Sequence, residues 1–76
     1  MTTRLPSIRP REVIRALERA GFVAALTSGS HCRLIHQTDP ARKVTVPLHG
    51  RDLKRGTLRA IIAQAGLTVE QFNELL

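Results

Sequence analysis

Aromatic side chains are nearly missing from this chain: Phe22 and Phe72 are the only two among 76 residues, with no tyrosine and no tryptophan. Modules that hold single-stranded nucleic acid by stacking bases on a sheet need exposed aromatic rings. Both phenylalanines fall where core packing accounts for them, so that binding mode is excluded. One cysteine, Cys32, cannot close an intramolecular disulfide, which fits a reducing compartment. No apolar run approaches the roughly 20 residues that cross a bilayer. The N-terminal stretch Met1-Thr2-Thr3-Arg4-Leu5-Pro6 also lacks the apolar core of a signal peptide. A soluble, cytoplasmic protein is expected. Three histidines and one cysteine without clustered spacing do not make a zinc site, and Asp52 has no second carboxylate near it to hold magnesium. No metal and no cofactor is therefore expected, and Gly50 and Gly56 form no recognised phosphate-binding loop.

Acidic residues are also scarce. Twelve Lys and Arg stand against six Asp and Glu, a formal charge of +6, and a pI above about 9 is the usual footprint of a nucleic-acid binder. Helix faces can carry charge for solubility alone, so the distribution decides. Arg42, Lys43, Arg51, Lys54, Arg55 and Arg59 lie in one segment whose only acid is Asp52, whereas the last ten residues hold Glu70 and Glu74 and no base. A polyanion is the favoured partner. Its binding is expected to be dominated by phosphates, salt-sensitive and loosely specific.

The length allows one domain with a modest core. Residues 1–9 carry no strong pattern and read as a flexible arm; 10–76 read as a single domain. Pro10 opens a helix at its first position, with Val13, Ile14, Leu17 and Ala20 at helical spacing and Gly21 as the stop. Arg11, Arg15 and Arg19 form a stripe flanked by Glu12 and Glu18, read as a solvated face. Phe22 to Leu26 is a short strand, Thr27-Ser28-Gly29-Ser30 a turn, and His31 to His36 a second strand. Lys43 to Val46 is a third strand, ended by Pro47, which has no N–H to give. Thr57 is the expected cap of a second long helix with Leu58, Ile61, Ile62 and Ala65 on one stripe. Thr68 and Gln71 fit a capping box for a short last helix. The order α-β-β-β-α plus a small helix predicts an α+β fold, a three-stranded antiparallel sheet with both long helices on one face.

That arrangement leaves the other sheet face bare. Alternation puts Cys32 and Leu34 toward the core and His31 and Arg33 toward the bare face; His36 falls opposite His31, outside any site there. Cys32 is thereby removed as a nucleophile. Histidine is the side chain that exchanges protons near neutrality. RNA cleavage without a metal needs a base for the 2′-proton, cations for the crowded phosphorane and an acid for the leaving 5′-oxygen. His31 is the candidate proton-transfer group, with Arg33, Lys43, Lys54 and Arg55 as candidate phosphate clamps. The alternative is a surface or hydrogen-bonded histidine with no chemical role.

Gly29-Ser30-His31, then Val44-Thr45-Val46-Pro47-Leu48-His49, then Leu53 to Gly66 (LKRGTLRAIIAQAG) form an ordered set, preceded by Val13 to Phe22 (VIRALERAGF). Read in series, these segments resemble the HicA family of bacterial toxins over nearly the whole chain from Pro10. The resemblance implies a double-stranded-RNA-binding-domain-like fold and a ribosome-independent endoribonuclease acting on messenger RNA in a bacterial or archaeal cytoplasm. It also implies that His31 is catalytic and that a cognate HicB-like antitoxin covers the site. Two departures, Thr27-Ser28 before the motif glycine and Leu34 in the following strand, bear on affinity or substrate preference more than on fold. Ser30 is a candidate for orienting His31 or the phosphate, and Arg33, Lys43, Lys54, Arg55 and Arg59 for holding RNA. His49 has two readings, a second acid–base group or a ring that anchors the connector. The competing function is a non-catalytic double-stranded-RNA-binding module; a cationic face built chiefly to dock an acidic protein is the third.

Overall fold

Pro10 and the apolar spacing behind it produce the first helix as expected. In a computed structural model, residues 4–48 and 50–76 are described. The elements run α1 (Pro10–Arg19), β1 (Phe22–Ser28), β2 (His31–His36), β3 (Lys43–Pro47), α2 (Arg55–Gln64) and α3 (Val69–Glu74). The Glu12 carboxylate accepts from the Arg9 N–H at 3.3 Å, satisfying one of the donors that open α1. Pro10, Val13, Ala16 and Leu17 are buried, while Ile14 and Ala20 lie at the margin. Arg11, Arg15 and Arg19 are exposed, and the Arg19 guanidinium donates to the Leu75 carbonyl at 2.6 Å, tying down the end of α3. The fold is α+β, as the order of elements predicts.

The three strands form one antiparallel sheet in the order β1-β2-β3. Phe22, Cys32, Leu34, Val44 and Val46 are buried in one core with Val13, Leu17, Leu58, Ile61, Ile62 and Phe72. Both long helices therefore cover the same sheet face. The molecule measures only 17 Å along its shortest axis, room for one layer of helix and one of sheet. Nothing within the described chain covers the second face.

His36, at the end of β2, and Arg42, just ahead of β3, tie the helix ends to the sheet. His36 takes a carbonyl of the α1 terminus: its Nε2 donates to Ala20 O at 3.1 Å, and its Nδ1 accepts from the Thr38 N–H at 3.2 Å. A carbonyl only accepts and an amide N–H only donates, so the imidazole carries its proton on Nε2. Gly21 has a φ of +96°, and a Cβ there would stand 3.0 Å from that nitrogen; glycine fits both the backbone and the ring. Arg42 takes the corresponding carbonyl of α2, Nε to Ala65 O at 2.8 Å with a second bond from the same guanidinium. Phe22 lies between them, edge-on to His36 with centroids 5.0 Å apart and 5.3 Å below the Arg42 guanidinium.

Four sequence expectations change. β1 runs on to Ser28, so the turn shrinks to Gly29-Ser30. β3 includes Pro47, which still pairs with His31 at its end. α2 starts at Arg55 with Lys54 as its N-cap, so Thr57 is the third helical residue and not the cap. The buried Leu53, whose N–H donates to Ile8 O at 2.9 Å, fixes the chain just ahead of that start, and Lys54 O closes the first turn with Leu58 N. Finally, part of the segment read as a flexible arm is packed: Ile8 is 3% exposed, and Asn73 Nδ2 donates to Arg4 O at 2.9 Å. Thr68 and Gln71 make both bonds of the expected capping box.

Arg42 thus works inside the fold, despite counting toward the basic segment. Arg42→Ala is expected to lower stability to urea unfolding by about 1–2 kcal/mol, the loss of a charge-assisted bond to a helix-end carbonyl. Arg42→Lys should recover only part of it, because a lysine cannot make the forked contact.

Candidate RNA-binding face and its histidine

The bare sheet face is built by the two hairpins. Gly29 has a φ of +57° and no non-glycine residue in the described chain has a positive φ. This is the pattern of a type II′ hairpin turn, with glycine at the first central position. Ser28 therefore pairs directly with His31. On the other side His31 pairs with Pro47, and the Leu48 N–H donates to Ser30 O. The His31 backbone is held from both neighbouring strands while its side chain is exposed. Ser30 Oγ is 3.4 Å from His31 Nδ1, near enough to bias the ring's orientation and leave Nε2 outward.

Arg33 is the next residue of β2 on this face, exposed, with Leu26 and Thr45 as its cross-strand partners. Lys43 pairs with Ile35 on the same face and is also exposed. A β-bulge falls between Ala24 and Leu26, where an extra residue reverses the alternation. Phe22 and Ala24 point inward, but beyond the bulge Thr27 takes the inner side, with its Oγ1 3.7 Å from the buried Cys32 Sγ. Leu26 and Ser28 are turned outward. They line a depression of about 310 Å³ with His31 and Arg33. A second depression, sharing Leu26 and Arg33, continues past Ile35, Lys43 and Thr45.

The remaining basic candidates are spread more widely. Lys54 lines a recess with Pro47, Gly50, Arg51, Asp52, Leu53 and Thr57. Pro47 is the partner of His31, so this recess adjoins the histidine's end of the sheet. Arg51, named by sequence only in the basic segment, and Thr57, named only as a helix cap, thus stand beside Lys54. Arg55 borders a different hollow with Arg4, Pro6 and Ser7. Arg59 lies one turn further along α2 and is exposed. His49 lies outside the described residues. Among the described residues, no three His, Cys, Asp or Glu side chains gather to hold a metal ion, and no helix is long and apolar enough to cross a membrane.

Sequence does not single out Leu26 or Ser28, because Phe22 to Leu26 reads only as a short apolar strand and Ser28 as part of the turn. The pairing register supplies what the strand alone does not: seven residues of β1 face six of β2 between the end pairs Phe22–His36 and Ser28–His31. One residue must bulge.

The family model described as the HicA toxin of bacterial toxin–antitoxin systems matches residues 10–67. The chain belongs to the HicA toxin family. No curated protein matches it significantly. The match to the HicA family spans α1 through α2 and includes the hairpin that carries Gly29, Ser30 and His31.

The II′ turn makes this corner of the HicA domain sensitive to one backbone atom. A Cβ at Gly29 would meet nothing within 4 Å, so the effect of Gly29→Ala is purely conformational. It is expected to cost about 1–2 kcal/mol of stability, read by urea unfolding. A neutral result would mean that the turn has another geometry.

Proposed function

We propose that this toxin is an endoribonuclease that cleaves messenger RNA through the RNA's own 2′-hydroxyl, with His31 moving protons. The observation that carries the reading is the pairing of an exposed imidazole with a guanidinium two residues on, both on the uncovered face. The histidine takes the 2′-proton, the freed oxygen attacks the adjacent phosphorus, and the bond to the 5′-oxygen breaks as that oxygen takes a proton from solvent. Negative charge grows on the non-bridging oxygens in the transition state, where a fixed cation lowers the barrier most. Arg33 is the nearest such cation along the strand, and Ser30 orients the imidazole.

Lys43 at one end of the face and Lys54 at the other hold the flanking phosphates. Arg55 and Arg59 extend this contact along α2. Substrate is held by charge, with little base stacking to help, so affinity depends on counterion release. A HicB-type antitoxin neutralises the protein by covering the same face, and its acidic side chains would match these cations.

A double-stranded-RNA-binding module without catalysis shares the basic surface but gives His31 no task. Cleavage separates the two. His31→Ala is expected to reduce cutting of purified messenger RNA by about 10²–10⁴-fold, to remove growth arrest on induction, and to leave RNA affinity within a factor of a few. The products should carry 2′,3′-cyclic phosphate and 5′-hydroxyl ends, and EDTA should not slow their formation. If the variant cuts at the wild-type rate, His31 is not the proton-transfer group.

Five phosphate contacts, by Arg33, Lys43, Lys54, Arg55 and Arg59, give an expected loss of about a hundredfold in affinity for single-stranded RNA between 50 and 200 mM salt. Fluorescence anisotropy across that range measures the slope. Lys43→Gln should flatten it by roughly one contact.

A further inference from the structure

We propose that Leu26, Ser28 and Arg33 form a subsite for one unpaired nucleobase, beside the phosphate handled at His31. The proposal rests on the ribonuclease reading above and adds to it a determinant of where the RNA is cut.

Leu26 is 55% exposed, the most exposed large apolar side chain of the described residues. Core packing does not explain its position. Regular alternation would have put it on the inner side with Phe22 and Ala24; the bulge turns it to the bare face, together with Ser28. Bulges commonly serve to re-aim a side chain beside a site. Here the re-aimed pair meets His31 and Arg33 across the strand, since Ser28 pairs with His31 and Leu26 with Arg33. All four line the same small depression.

A nucleobase has two apolar faces and a polar edge. Leu26 offers an apolar surface to one face, and the Arg33 guanidinium offers a plane on which a base can stack. The Ser28 hydroxyl is exposed and unengaged among the described residues, and it can donate to or accept from a base edge. Same-face neighbours on a strand stand about 7 Å apart, so a phosphate at His31 leaves an adjoining base over Leu26 and Arg33. An acidic protein segment would meet the cations through its carboxylates, whereas an unpaired base beside a phosphate engages the cation, the apolar side chain and the hydroxyl together. The surroundings carry Arg33 and Lys43 and no acid, which favours the polyanion.

The test separates binding from cleavage. RNA oligomers with 2′-O-methyl groups throughout lack the nucleophile and cannot be cut by this route. Four such oligomers, differing in the base at one position, are titrated against the wild-type chain and against Leu26→Ala, Leu26→Met and Ser28→Ala. Leu26→Ala is expected to weaken binding about fivefold, the loss of part of one leucine side chain's apolar contact. Leu26→Met keeps an apolar surface and should bind as the wild type. Ser28→Ala should compress the affinity differences among the four oligomers to under twofold. On ordinary RNA both alanine variants should redistribute the cut sites, mapped by sequencing the new ends.

If Leu26→Ala and Ser28→Ala bind all four oligomers as the wild type does, the subsite is overturned, including the case where Leu26→Ala weakens only an acidic protein partner. If the expected binding losses occur but no RNA is ever cut, the ribonuclease reading fails and the base subsite stands. Leu26 lies outside the core, so unchanged melting of its variants excludes misfolding as the cause.

Discussion

The Phe22 ring sits where the sheet meets both helix ends, and the rest of the molecule depends on that junction. Its edge meets His36, whose Nε2 holds the α1 terminus; its face meets Arg42, whose guanidinium holds the α2 terminus. A 76-residue chain buries little apolar surface, so its stability is thin. Fixing the two helix ends to adjacent strand ends removes freedom that packing alone would leave. It also sets both helices on one side of the sheet. The bare face follows from the clamp on the opposite side, and the candidate site follows from the bare face.

On that face the decisive element is one extra residue in β1. Without the bulge, Leu26 and Ser28 would lie on the inner side of the sheet, and the surface beside His31 would carry Ala25 and Thr27. With it, an apolar side chain and a hydroxyl stand against the imidazole and the guanidinium. Two-stranded backbone support holds His31 in place from Ser28 and from Pro47. The side chain gains its position from pairing on both sides, while remaining open to a large ligand. Rigid elements hold chemical groups more precisely than loops do, and His31 has that support without being buried.

Much of this was legible in the chain. The helical spacing of Val13 and Leu17, the stripe from Leu58 to Ala65 and the capping box at Thr68 each follow from local rules that the structure obeys. So does the separation of His31 and Arg33 from Cys32 and Leu34, because a period of two is fixed by strand geometry. What was not legible depends on register. The bulge exists only because Phe22 pairs with His36 and Ser28 with His31, and neither pairing is a property of one strand. The same holds for Arg42, whose place over Phe22 requires two strands and a helix end to converge. Thr57 looked like a cap because threonine is a good one; the contact of Leu53 with Ile8, far away in sequence, started the helix earlier.

Arg42 also shows why a charge count overstates a binding surface. The segment from Arg42 to Arg59 contains six basic residues, yet they do not act as one patch. Arg42 is spent on the α2 terminus and on Phe22. Arg55 faces a hollow bounded by Arg4 and Ser7, and Arg59 follows it along the exposed side of α2. Lys43 shares the bare face with Arg33, which lies outside the segment altogether, and Lys54 reaches the histidine's end through the recess at Pro47. Long-range attraction uses all the cations, because the field sums over the surface. Stabilisation of a developing phosphorane uses only those fixed within a few ångströms of it. In the proposed reaction the net charge therefore governs how fast RNA arrives, and the strand pairing around His31 governs what happens to it there.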